Sequence, residues 1–456
     1  MNLFGIASWL FLILIAGLGV MVTISGRPRI FLRAECIALS YGIGIAAITI
    51  GMALLSFFGI DFSVFSISMI SIPFVLAAII SSRRKDAPLT EGAEGGGLEP
   101  FSPLEIFLIL AILFEVSYAL FKALVNSIES YDAVAIYAIQ SKIFYLAHGI
   151  PADYYTAFKA IVPHIEYPLL MPLAETFFYN FIGSWNDQLV KLMFPLYYVS
   201  ILVILYSVVR RILGRRESLL FTFLLASIPQ FQEYGTNGYA DLVLAFYYSI
   251  SAFYLYLWIK EGSSGYLVLS FILSALSAWA KTEGLMLIMI NMVVVAFYIA
   301  KDGRKYLFKG ALYVISLISV VALYSFLKRA IGIDMHGNFA EDGMFDPGRL
   351  VMNLRRIPII LYQFQIQFFG PKKWNIVWIL VIAGFFLNLK TAFRGPIKYL
   401  TLWLIFVMCG YAAVYIVVPG DIGWFISRNL SRFFIHFTPA AVLWLAVLFR
   451  ELELKI

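Results

Sequence analysis

The sequence predicts an all-α polytopic membrane protein, and three observations carry that class. Hydrophobic residues make up 62% of the 456 and charged residues only 13%, far from the balance of a water-soluble domain. Apolar runs of about 17 to 25 residues recur along most of the chain, the length a helix needs to cross roughly 30 Å of hydrocarbon. Runs such as 285–300 have no two-residue alternation, which excludes a transmembrane β-barrel.

The first run, 3–24, is too long for the core of a secretory signal and lacks a basic segment before it and a small-residue cleavage pattern after it, so it is expected to be a retained first span. The later spans are placed by the basic clusters, because Lys and Arg in short loops stay on the cytoplasmic side. Those clusters are Arg27/Arg29/Arg33, Arg83/Arg84/Lys85, Arg210/Arg211/Arg215/Arg216, Lys301/Arg304/Lys305, Lys390/Arg394/Lys398 and Arg450/Lys455. With the N-terminus outside, they give spans near 3–24, 37–58, 64–80, 104–124, 189–209, 219–232, 239–259, 266–282, 285–300, 307–328, 374–389, 399–418 and 432–449, about thirteen in all. The net charge of +7 therefore orients the protein in its bilayer and does not mark a nucleic-acid partner. Cys36 and Cys409 lie far apart in or beside apolar runs, which argues against a disulfide framework or a metal cluster.

Residues 168–183 are apolar but short and carry Pro168 and Pro172. A crossing there would put every later basic cluster outside, so this stretch is expected to lie along or dip into the outer interface. Residues 86–103, with the run Glu91-Gly92-Ala93-Glu94-Gly95-Gly96-Gly97, read as a flexible cytoplasmic linker after an accessory set of spans in 1–85. Two long outer loops remain, 125–188 and 332–373. Both are rich in aromatic residues and proline and are expected to fold as juxtamembrane pieces. In the second, Leu350, Leu354, Ile357, Leu361 and Phe364 recur at helical spacing with Arg349, Arg355, Arg356 and Gln363 between them, the pattern of an interfacial amphipathic helix.

Ionisable residues gather on the outward turns. The first outer loop opens with Glu129-Ser130-Tyr131-Asp132 and continues to His164-Ile165-Glu166-Tyr167-Pro168; Asp132 is either a helix cap or an acid held at lipid head-group depth. The next turn ends in Gly238-Tyr239-Ala240-Asp241, with Asp241 starting a span where a charge is costly unless paired or facing water. Lys281 and Glu283 occupy a third turn and are candidates to pair with each other. Arg428 and Arg432 come at the start of the last span, where Arg also snorkels. Singly none of these is specific. Together they place acids and cations on one side: carboxylates suit a general base toward a hydroxyl or amine, and Lys and Arg suit a phosphate leaving group.

These short stretches, Tyr131-Asp132, His164 to Leu170, Gly238 to Asp241 and Ala280-Lys281-Thr282-Glu283-Gly284, taken in order over 104–328, resemble the GT-C glycosyltransferases, which include protein O-mannosyltransferases and lipid A aminoarabinose transferases. The resemblance implies a GT-C fold, with 104–331 as its transmembrane module around the first outer loop 125–188, and 374–456 as C-terminal transmembrane helices. It implies an inverting transferase that moves a sugar from a polyprenyl-phosphate donor to a lipid, glycan or protein acceptor at the extracytoplasmic face of the cytoplasmic (inner) membrane. By the same resemblance Asp132 and Asp241 are the catalytic acids, Lys281, Arg428 and Arg432 contact the donor phosphate, and Tyr131, His164, Glu166, Tyr167, Tyr239 and Glu283 shape the substrate pocket. Neither a metal nor a cofactor is expected. The chain has no Trp-Trp pair, so it lacks the Trp-Trp-Asp-Tyr-Gly signature of oligosaccharyltransferases. The rival class is a transporter or flippase, which would hold ionisable residues near mid-span; here such positions are nearly free of charge.

Overall fold

A computed structural model describes residues 2–25, 31–82, 100–330, 347–418 and 420–453, which form helices joined by turns, with no strand among them. The linker expected at 86–103 falls mostly outside these residues, as do 332–346 of the second outer loop. Ten helical segments among the described residues are long and apolar enough to cross a bilayer, and the protein is an integral membrane protein. Three of the thirteen expected spans fold as shorter helices: Arg215–Ala226, Ser264–Ala280 and Val377–Leu387. The first stops early because Pro229 opens a separate helix, Pro229–Tyr234; proline has no N–H to continue the helix before it.

The chain divides into two compact units. The first comprises 1–226, 232–246 and 279–282. Its helices are α1 (Leu3–Ser25), α2 (Arg33–Phe57), α3 (Val64–Met69), α4 (Ile72–Ser82), α5 (Pro103–Val125), α6 (Ile139–Leu146), α7 (Tyr154–Ala157), α8 (Leu170–Ile182), α9 (Met193–Arg210) and α10 (Arg215–Ala226). Small residues let α1 and α2 touch backbone to backbone: a Cβ on Gly17 would lie 2.0 Å from the Ser40 carbonyl oxygen, and one on Gly44 1.9 Å from that of Ile13. Between membrane helices such close packing replaces the hydrophobic drive that lipid removes.

Salt bridges order one end of this unit. Glu35, fully buried in the first turn of α2, receives both terminal nitrogens of Arg211, just past α9. Glu105, in the first turn of α5, closes a capping box with Ser102 and accepts Arg215 Nε at 2.7 Å. Acids at helix N-termini offset the helix dipole, so two arginines read only as topology markers also tie the start of α2 to the end of α9 and the start of α5 to the start of α10. At the opposite end of the unit, Phe62 N donates to the His148 carbonyl at 2.6 Å and Ile150 N to Ser56 Oγ at 2.8 Å.

Residues 170–182 are helical and enclosed by protein. They form α8, and every residue of it except Asn180 is buried, packed against α1, α2 and α6. Its aromatic residues point to several sides and find protein partners there: Trp9 of α1 meets Phe177 and Phe178 with ring centroids 6.3 and 5.1 Å away.

The second unit comprises 227–231, 247–278 and 283–456. It continues through α11 (Pro229–Tyr234), α12 (Ala240–Glu261), α13 (Ser264–Ala280), α14 (Gly284–Lys301), α15 (Leu307–Ala330), α16 (Pro347–Asn353), α17 (Ile357–Phe368), α18 (Pro371–Trp374), α19 (Val377–Leu387), α20 (Leu389–Ala392), α21 (Ile397–Val417) and α22 (Ile422–Glu453); the last residues of α11, the first of α12 and the last of α13 belong to the first unit. Polar side chains knit its interior: Asn291 Nδ2 donates to Ser251 Oγ and Ser274 Oγ, and its Oδ1 accepts Trp403 Nε1 at 2.8 Å. Where the sequence predicts an interfacial helix, α16 and α17 form. Leu361 is exposed while Ile360 and Phe364 are buried, and Arg356 donates to the carbonyls of Tyr415, Val418 and Gly420.

Candidate active site

The acidic candidate Asp132 stands at the start of a short helical arm. The chain leaves α5 at Val125 in an extended conformation at Asn126, then re-enters helix at Tyr131 and Asp132, and passes through a π-helical turn, Ala133–Ala138, before α6. Such wide turns carry a local strain that concentrates at functional sites. Asp132 already has helical backbone angles and makes no capping hydrogen bond to this turn, so the simpler explanation of its presence, an N-cap, is not realised. Asp132 is half-buried and Tyr131 exposed.

The second outward turn lies against this arm. Gly238 has φ +89°, and a Cβ built there would meet the Cβ of Ala133, the residue after Asp132, at 3.0 Å. Glycine is needed twice over, for a left-handed backbone and for close approach. Tyr239 N donates to Asn237 Oδ1 at 3.0 Å, and the Tyr239 ring tilts over Tyr234. Two residues on, Asp241 is fully buried in the first turn of α12 and accepts Lys281 Nζ at 2.9 Å; Lys281 is itself only 4% exposed. The sequence left Lys281 a candidate partner for Glu283. The structure gives it Asp241.

In the loop after α6, His164 adopts φ +53°, lies 3.2 Å from Glu166 Oε1 and stacks on Tyr167 at 4.7 Å between ring centroids. Three of the six predicted pocket residues, His164, Glu166 and Tyr167, thus form one surface cluster. Sequence reasoning missed a further set of residues. Glu175 is fully buried in α8, with Oε2 accepting Ser141 Oγ at 2.7 Å and Oε1 without a hydrogen-bond partner. Burial pushes its carboxyl up to about 8, against the pull of the Ser141 hydroxyl and with a small further push from Asp187. Asp187 in turn accepts Lys142 Nζ at 2.6 Å and Tyr179 OH at 3.3 Å. The one available signal was an acid inside the apolar run 168–183.

Glu283, Arg428 and Arg432 belong to the second unit. The two arginines are not at the start of their span, because Asp421 caps the helix ahead of them: Gly423 N donates to its Oδ1 at 2.9 Å and Phe425 N to its carbonyl. With no breaker between 422 and 432, α22 runs 32 residues and the arginines fall in its second and third turns. Arg428 sits over the Trp424 ring at 4.8 Å. The same unit holds an apolar cavity of about 390 Å³ among Phe368, Trp378, Phe385, Leu404, Met408 and Trp444. Among the described residues no group of three or more His, Cys, Asp or Glu is arranged to hold a metal ion.

Residues 166–328, which contain Asp241 and Lys281, match the dolichyl-phosphate-mannose-protein mannosyltransferase family. Over these residues, about a third of its length, the chain is similar to that family of GT-C membrane glycosyltransferases. It is a polyprenyl-phosphate-sugar-dependent glycosyltransferase, transferring sugar from a lipid-phosphate donor to an acceptor in the membrane. Neither a curated protein nor a solved structure matches the chain. The GT-C resemblance seen in the sequence at 104–328 and the family match overlap from Glu166 onward; Asp132 precedes the matched residues.

Proposed function

We propose that this glycosyltransferase inverts the anomeric centre in a single step at the extracytoplasmic face of the cytoplasmic membrane, with Asp132 as general base. The Asp132 carboxylate takes the proton from a hydroxyl or amine of a lipid, glycan or protein acceptor. The acceptor atom then bonds to the anomeric carbon as the bond from that carbon to phosphate oxygen breaks, and polyprenyl phosphate leaves with the electron pair. Asp241 is the second acid, and Lys281, Arg428 and Arg432 are assigned to the phosphate, whose growing charge they offset. Tyr131, His164, Glu166, Tyr167, Tyr239 and Glu283 are assigned to the sugar and acceptor, with aromatic faces for the ring. The apolar cavity of the second unit has the chemistry of a hydrocarbon chain. About thirteen crossings, three of them by the shorter helices, agree with the basic clusters.

One observation carries this reading: the Gly238 turn brings the buried Asp241–Lys281 pair and the Asp132 arm to the same end of the first unit. The test incubates the purified protein with polyprenyl-phosphate mannose, glucose or arabinose and a membrane extract of the source cells as acceptor. Release of polyprenyl phosphate that is lost in Asp132→Asn supports the reading, and normal release by that variant removes Asp132 from the mechanism. A flippase would move the donor across a vesicle membrane without cleaving it.

A further inference from the structure

One turn, residues 186–191, grips the arm that carries Asp132 from both sides. The last carbonyls of a helix have no partner within it, and at α5 they are met from far along the chain. Gln188 Nε2 donates to the carbonyls of Leu124 and Val125, and Lys191 Nζ to those of Asn126 at 3.0 Å and Ser127 at 3.1 Å. Ile128 N donates to the Asp187 carbonyl at 3.1 Å. Beyond Asp132, Lys142 of α6 binds the Asp187 carboxylate at 2.6 Å. The turn is itself fixed, since Asn186 Oδ1 accepts the backbone N–H of Gln188 and Leu189.

Lys191 is the telling member. It is 4% exposed, and burying an ammonium is costly unless a specific interaction offsets it. Helices commonly end on a glycine in the left-handed conformation, which satisfies the carbonyls locally; α5 ends on extended Asn126 instead. A cation at a helix C-terminus is favoured by the dipole, but one reaching from position 191 also fixes the direction in which the chain leaves α5, and so where Asp132 stands. We propose that the 186–191 turn is a positioning clamp for Asp132, with Lys191 its central residue. The inference rests on the general-base reading of Asp132 given above.

The test measures kcat and donor KM for the full-length protein with the polyprenyl-phosphate sugar that it cleaves, together with amide hydrogen exchange over 124–132. Misplacing a reacting group by an ångström costs about 100-fold in rate, so Lys191→Met is expected to lower kcat about 10- to 100-fold, with donor KM changed less than about threefold. Exchange over 124–132 quickens, and Lys191→Arg, which keeps the cation, recovers most of the rate. A folded Lys191→Met protein with unchanged kcat overturns the clamp, as does a loss of kcat with unchanged exchange. Should Lys191→Met not fold, Gln188→Ala decides: Gln188 is exposed, and a kcat lowered severalfold with faster exchange supports the clamp, whereas an unchanged kcat overturns it. Asp132→Asn is run alongside. If it turns over normally, the general-base reading fails, while faster exchange in Lys191→Met still reports the grip on the arm.

Discussion

Lys281 and Asp241, forty residues apart in sequence, hold an ammonium nitrogen 2.9 Å from a carboxylate oxygen where almost no water reaches either. A pair this buried makes little net contribution to stability compared with apolar residues of the same size, but removing one partner leaves an uncompensated charge at a cost of about 3–5 kcal/mol. Asp241→Asn and Lys281→Met are each expected to lose about that much stability, and Asp241→Leu combined with Lys281→Met less than either alone. Thermal unfolding in detergent checks this. Single variants that melt with the parent would show that water reaches the pair.

Asp132 makes the opposite prediction. It is half-buried and caps nothing in the π-helical turn that follows it, so Asp132→Asn is expected to leave folding intact. Loss of a general base lowers kcat by about 10²- to 10⁴-fold. The check is turnover of protein whose elution and melting match the parent. A rate loss accompanied by a large fall in melting temperature would assign Asp132 to structure.

Legibility follows from whether a signal is local. Hydropathy is local, so the class and most span positions could be read from composition and period; the exceptions were segments cut by a residue such as Pro229 or capped upstream, as Asp421 caps α22. Asp132, Asp241 and Lys281 stood out because they lie on the outward turns, away from the basic clusters that end the other spans. Their partners did not: which acid Lys281 meets, and that Arg211 and Arg215 bind Glu35 and Glu105, depend on helix packing that brings together residues up to 176 positions apart. Glu175 was hidden by its surroundings, an apolar run whose average swamps one acid.

Glu175 should tie stability to pH. Its carboxyl is raised to about 8 from an ordinary value of 4.5, chiefly by burial. An acid that holds its proton more tightly when folded stabilises the fold fully below 4.5; that contribution falls as pH rises toward about 8 and is then gone. Between these limits the slope is at most about 1.4 kcal/mol per pH unit. Glu175→Gln keeps the neutral shape and lacks the titration, so its stability is expected to match the parent near pH 4.5 and exceed it by a few kcal/mol near pH 8. Parallel unfolding curves from pH 5 to 8 for the two proteins would show that Glu175 does not carry this dependence.

Gly238 links both acids, and its substitution separates packing from backbone strain. At φ +89° any side chain is strained, and the new Cβ would press on Ala133 Cβ at 3.0 Å. Gly238→Ala is expected to cost about 1–3 kcal/mol from the backbone alone and to push the arm holding Asp132 away, lowering kcat as well. Ala133→Gly removes the facing methyl and so the clash, but not the strain. In the Gly238→Ala, Ala133→Gly double variant, turnover should therefore recover further than stability does, measured as kcat and melting temperature on the same preparations. Equal recovery of both would mean that the rate loss came from instability and that the turn does not set the position of Asp132.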